Sequence, residues 1–424
     1  MLRRLMWSVV GLLMLPVGAS TAQADAASPT AAQQPPAVTP LPTAVAPPPE
    51  GKGVPCGTAA VEGATGSVDL AAFGYVEEEF IVSGQANVYR YGPAGAVEVE
   101  TAEVPYATRI LVRRPESPRR FSGNVQVETT HPNFGQNVVW AQASEHILAN
   151  GDAYVSITTR RTTGGFSAIE VMKSFDPVRY GPLQFPEDGL NWDVIGQVGR
   201  LLKTPIPANP LDGYDVERLY ASGWSGGGAL LLLYISDGFH GRARMPDGAP
   251  IFDGYLVGEP SGYPRINSTV PAIPTSDPHQ QVQPRDVPAI TLHTRPQEQF
   301  RRRPDGDQPS DRYRVYEVAG AAHADLRLTP GVLPDLPPVR GHVPGRWYRP
   351  AGLRPRDHPV PDAPSVQVDA CQARCLGGSG RHPTTVAADR PRARRNSRAR
   401  RARQPARRRP HDLHRRADRP LLHQ

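Results

Sequence analysis

Between residues 54 and 329 the chain alternates between two textures. Short apolar, β-branched runs fall at 109–113, 125–129, 154–158, 218–221, 254–257, 287–292 and 313–318. Helical spacing of apolar residues fills several of the gaps, at 138–149, 193–202 and 227–236. A strand that is apolar along its whole length is buried on both faces. Helices between such strands are the crossovers that a parallel sheet needs. The pattern therefore predicts an α/β fold, a mostly parallel sheet flanked by helices. The chain shows no internal repeat.

The flanks read differently. Arg3 and Arg4 precede an apolar run at 5–17, and Ala22-Gln23-Ala24 follows, which is the layout of a secretory signal peptide over 1–24. The run is too short for a comfortable span of about 20 residues, and no later stretch reaches that length. The expectation is a secreted or cell-envelope protein, cleaved near Ala24, without stable membrane insertion. Residues 25–53 are rich in Pro, Ala and Thr and read as an extended linker that does not pack. The folded domain is expected over 54–335. Beyond it, at 336–424, Pro, Arg, His and Gly dominate and apolar periodicity ends, as in a disordered tail. A second reading of that tail is an out-of-frame translation of GC-rich DNA.

Composition sharpens the picture at one point. The 424 residues carry a net charge of +7, and 48 of them are proline. Residues 381–424 hold 15 Arg against 3 Asp, a charge of +12, which leaves −5 for the other 380 residues. The basic balance belongs to the tail, so the body has no electrostatic footprint for nucleic acid. Three cysteines make no disulfide framework. No metal-ligand spacing appears, so neither metal nor cofactor is expected.

The chemistry centres on Gly223-Trp224-Ser225-Gly226-Gly227. Gly-x-Ser-x-Gly between a strand and a helix is the turn that exposes a serine hydroxyl at the carboxyl edge of a sheet. Glycines two before and two after let that turn close. The Gly226 N–H then faces the site as an oxyanion donor. His323 follows the last strand in a small-residue loop, where a general base would reach Ser225. The acid is open among four residues, with Glu298 preferred. Glu298 stands nearest the end of the 287–292 strand, Asp305 and Asp307 lie further on, and Glu259 ends the strand before. The second oxyanion donor is expected from the loop 130–135, at Asn133 or Phe134, because Pro132 has no N–H. His131 would order that loop.

The elbow, Gly-Ala-Ala-His-Ala-Asp at 320–325 and Asp176-Pro177-Val178-Arg179-Tyr180 together resemble the "alpha/beta hydrolase domain" proteins of the α/β-hydrolase superfamily. The resemblance runs from about Gly74 to about Leu328. It implies the α/β-hydrolase fold, with Ser225 as nucleophile and His323 as base. Members usually carry an acid directly after the seventh strand, where this chain has Thr294-Arg295-Pro296. The expected function is an exported serine hydrolase for small-molecule carboxylic esters, working through an acyl-enzyme. The alternative is an exported binding protein on an inactive hydrolase scaffold. A structural Asp–Arg pair is expected at Asp176 and Arg179.

Overall fold

The computed structural model describes residues 37–51, 55–59, 67–162, 167–262, 265–294 and 300–323. Each of the seven apolar runs overlaps a strand. Six strands form the parallel centre of a ten-stranded sheet: β5 (Asn124–Thr129), β6 (Ala153–Ile157), β7 (Arg218–Trp224), β9 (Gly254–Gly258), β10 (Ala289–His293) and β12 (Asp311–Glu317). Their order is β12-β10-β9-β7-β5-β6, each pair parallel. Beyond β6 lie β4 (Val97–Pro115), β3 (Tyr75–Tyr91) and β2 (Ala44–Ala46), paired antiparallel. The short β11 (Gly306–Gln308) closes the far edge antiparallel to β12. A separate pair joins β1 (Ala37–Val38) to β8 (Ala243–Arg244).

Burial explains why the central strands lack alternation. Tyr154 of β6 packs with Trp140, Ile147 and Leu148, which belong to α1 (Val138–Asn150). Its neighbours Ala153 and Val155 belong to the main core, with Ile195 and Val198 of α3 (Asn191–Lys203) and the leucines of α4 (Gly226–Ser236). Successive strand residues point to opposite faces, so both faces of the sheet are covered. Two further helices, α2 (Ala168–Phe175) and α5 (Phe239–Arg242), complete the layers.

Part of the Pro-rich segment departs from the expectation that it does not pack. Residues 44–46 pair with Ile81–Ser83 of β3, and the Thr43 N–H donates to Ser83 O (2.8 Å). Pro40, Pro42 and Pro47 stand beside an edge strand, where a missing N–H breaks no central ladder. Residues 1–36 and 52–54, and everything after His323, lie outside the described residues.

Asp176 and Arg179 act structurally, as expected. Asp176 Oδ1 accepts from the N–H groups of Val178 and Arg179 (3.1 and 3.0 Å). Arg179 and the Tyr180 hydroxyl both reach Glu79 in β3 (3.1 and 2.9 Å), which also pairs with the buried Arg109 of β4 (2.6 Å).

Candidate active site

The loops at the carboxyl ends of β5, β7 and β9 meet His323, which follows β12. Strand β7 ends at Trp224, and α4 begins at Gly226, so Ser225 alone makes the turn. Its backbone sits at φ 56° and ψ −118°, a strained conformation for a residue with a Cβ. The surrounding chain holds it there: Ser225 N donates to Gly258 O (3.0 Å), and Ser261 N donates to Ser225 O (3.1 Å). The flanking glycines are required by close approach. A Cβ on Gly223 would lie 2.6 Å from the Gly227 backbone, and one on Gly227 would lie 2.3 Å from Thr129 O.

Three polar side chains line up from this turn. Ser225 Oγ is 3.0 Å from His323 Nε2, and His323 Nδ1 is 3.3 Å from Glu259 Oε2. Glu259 is 1 % exposed, so its carboxylate meets the imidazole away from bulk water. It directly follows β9, and its N–H donates to Leu292 O (2.8 Å). Its other oxygen accepts from the Thr294 N–H. The Trp224 indole N–H donates to His323 O (3.1 Å), which ties the histidine loop to the elbow. Ser261 Oγ stands 2.7 Å from Ser225 Oγ.

The four acid candidates fall in different places. Glu298 lies outside the described residues. Asp305 accepts from the Val315 N–H and Asp307 from Arg314, both along β12 and neither at His323. Glu259, after the preceding strand, is the one of the four that stands beside His323 among the described residues. Its signal in the sequence was its position two residues past the 254–257 run.

The loop 130–135 also departs from expectation. The Asn133 N–H turns to His131 Nδ1 (3.4 Å), and the Phe134 N–H donates to His131 O (3.1 Å). The Asn133 side chain instead grips Arg161: Nδ2 donates to Arg161 O (2.8 Å), and Oδ1 accepts from Arg161 Nη2 (3.1 Å). His131 stacks on Phe134, with ring centroids 4.8 Å apart. Burial, with Arg161 and His323 nearby, holds the His131 pKa down to about 3, so its ring is neutral. Behind the loop, Glu128 of β5 accepts from the N–H groups of Val139 and Trp140 at the start of α1 (2.9 and 3.0 Å). That cap anchors both flanks of the loop. Sequence reasoning missed Ser261 and Arg161, since neither sits in a motif.

The sequence matches the family described as "Alpha/beta hydrolase domain" over residues 40–360. The chain belongs to that family. Solved α/β hydrolases align with it at low similarity. An esterase from Pyrobaculum calidifontis is 14% identical, with 62% of this chain and 83% of that one covered at a TM-score of 0.31. Esterase 2 from Thermogutta terrifontis, solved phosphorylated by paraoxon, is 14% identical, with 57% and 84% covered at 0.30. An alpha-beta serine hydrolase homologue from Coxiella burnetii is 12% identical, with 56% and 88% covered at 0.29. A comparison with curated protein sequences gives no match. In this member of the alpha/beta hydrolase domain family, no helix among the described residues is long and apolar enough to cross a membrane.

Proposed function

We propose that this protein is an exported serine hydrolase that cleaves carboxylic esters of small molecules. The observation that carries the reading is the chain of contacts from Ser225 through His323 to Glu259. Ser225 Oγ attacks the acyl carbon while His323 Nε2 takes its proton. Glu259 holds the ring and stabilises the imidazolium that forms. The carbonyl oxygen becomes an anion, met by the Gly226 N–H at the start of α4. That N–H has no intrahelical acceptor, and the helix N-terminus favours negative charge there. His323 returns the proton to the departing alcohol. Water, deprotonated by the same imidazole, then releases the acid and restores Ser225. The N-terminal pattern at 1–24 supports export.

The test is hydrolysis of p-nitrophenyl acetate by the full chain and by Ser225→Ala. Loss on the order of 10⁴-fold or more in kcat is expected in the variant, with circular dichroism unchanged. A fluorophosphonate should label the wild type and not the variant. A folded wild type with no turnover and no labelling would instead favour the binding-scaffold alternative.

A further inference from the structure

One half of an oxyanion hole is built into the elbow, at Gly226 N–H. In this fold the other half is ordinarily a backbone N–H of the loop after β5. Here that loop has turned its N–H groups elsewhere. Thr130 N donates to Ile157 O (3.1 Å), and His131 N donates to Gln136 O (3.0 Å). Pro132 has no N–H. The Asn133 N–H faces His131 Nδ1 (3.4 Å). Phe134 N and Gly135 N both donate to His131 O (3.1 and 2.7 Å). The 130–135 backbone has made its hydrogen bonds before any substrate arrives.

A side chain stands in the vacated role. A Cβ built on Gly226 would lie 3.0 Å from Arg161 Nη2, 3.2 Å from His131 Nε2 and 2.9 Å from Pro132 Cδ. A backbone N is about 2.5 Å from its own Cβ, so Arg161 Nη2 is within about 5.5 Å of Gly226 N. One oxygen can therefore hydrogen-bond both donors at about 2.9 Å. The other guanidinium nitrogen, Nη1, would be 3.3 Å from a Cβ on Gly262, so Arg161 fits between two residues that lack side chains. Its mounting is rigid. The Arg161 N–H donates to Pro132 O (3.3 Å), and Asn133 holds both its carbonyl and its guanidinium.

The charge is also left open. Among the described residues no carboxylate closes an ion pair with Arg161. Asp188 attracts it, but the Asp188 carboxylate is bonded by Arg160 Nη1 (2.5 Å) and the Thr162 N–H (2.9 Å). Burial and the like charge of Arg265 disfavour the protonated form of Arg161. A fixed cation with no carboxylate in contact among the described residues gains when negative charge develops beside it, which is the requirement for transition-state stabilisation.

We propose that the Arg161 guanidinium, held by Asn133, is the second oxyanion donor of this site, in place of a loop N–H. The inference rests on the serine-hydrolase reading. As Ser225 Oγ bonds to the carbonyl carbon, the carbonyl π pair moves onto oxygen. Gly226 N–H and Arg161 Nη2 then share that anion, and it collapses back when the alcohol leaves.

The experiment uses the full chain as wild type, Arg161→Met, Arg161→Lys and Asn133→Ala. Each is assayed on p-nitrophenyl acetate and on the anionic p-nitrophenyl hemisuccinate, and against an aryl trifluoromethyl ketone, which forms a tetrahedral oxyanion on serine. Arg161→Met should lower kcat on both esters by about 10²–10³-fold, the range for loss of one such donor. The ketone Ki should rise by the same factor while KM stays within about threefold. Arg161→Lys should recover part of the loss, and Asn133→Ala should show a smaller loss of the same kind. If Arg161→Met does not fold, the lysine and Asn133 variants decide, because both keep the cation. Turnover near wild type in folded Arg161→Met, or in both Arg161→Lys and Asn133→Ala where the methionine variant does not fold, still dependent on Ser225, overturns the Arg161 role and leaves the hydrolase reading standing. A loss confined to KM for the hemisuccinate also overturns it, since Arg161 would then bind a substrate anion. A wild type without Ser225-dependent turnover ends both.

Discussion

Buried charge is treated differently in the β3–β4 ribbon and around Ser225. In the ribbon, Arg109 and Arg113, each 1 % exposed, meet Glu79 and Glu77 at 2.6 Å, and the Arg113 guanidinium also lies over the Trp140 ring (4.1 Å). Burial pushes the Glu77 pKa up, yet Arg113 and the donors on Thr58 and Ala59 outweigh it and leave the carboxyl below its ordinary value. Each charge there is answered in the resting protein. At the site, Glu259 is as deeply buried but faces a histidine, and Arg161 faces an amide. On the proposed reading, these two groups meet an imidazolium and an oxyanion only during the reaction. The ribbon pairs its charges within the sheet; the site, so read, aims its charges at the transition state.

The sharpest way to break this comparison is Glu259→Gln. The amide preserves shape but removes the charge that meets the imidazolium. We expect kcat for p-nitrophenyl acetate to fall by about 10³–10⁴-fold, with little change in thermal stability. Asp305→Asn, Asp307→Asn and Glu298→Gln should each leave kcat within about threefold of wild type. Should one of these three match the Glu259→Gln loss, the acid has been misassigned.

Next in size is Arg113→Met, which acts on the ribbon and its packing against α1. It strands Glu77 without its cation, and breaking a buried pair in this way costs about 3–5 kcal/mol. Chemical denaturation should show that loss, while kcat of the folded fraction stays near wild type. Adding Glu77→Gln should recover much of the stability, because no uncompensated charge then remains. A kcat that falls with stability in Arg113→Met would show the two regions to be coupled.

The same contrast explains what could be read from the sequence. The central strands, the elbow and His323 were legible because each carries a local signature: unbroken apolar runs, close-packed glycines, and a histidine after the last strand. Strand β3 was not. Its run Glu77-Glu78-Glu79 reads as polar surface, yet Glu77 and Glu79 are the partners of arginines some 30 residues away. The acid was narrowed to four candidates with Glu298 preferred; which carboxylate stands beside His323 depends on how the β9 and β12 loops meet in space. Arg161 and Ser261 were invisible. Only the fold brings the end of β6 and the turn after β9 to the elbow.

Asp237 offers the finest test, at the opposite end of α4 from Ser225. It is 7 % exposed, its Oδ2 accepts from the Tyr91 hydroxyl (2.7 Å), and among the described residues its Oδ1 has no hydrogen-bond partner. Burial outweighs the Tyr91 bond and the attraction of His279 and Arg242, and the carboxyl is raised from 3.8 to about 7. Unlike Glu77 it has, among the described residues, no cation in contact, so burial favours its protonated form. Between pH 4 and 7 the folded chain thus binds a proton that the unfolded chain has released. Stability from this group is greatest at the acid end and falls as pH rises toward 7. Asp237→Asn keeps a neutral side chain at every pH. The Tm of the variant relative to wild type should therefore climb between pH 4.5 and 7, by a few degrees if about 1 kcal/mol is released. A Tm difference that stays flat over that range would mean that Asp237 is already ionised in the fold, and that a buried carboxylate here needs no cation beside it.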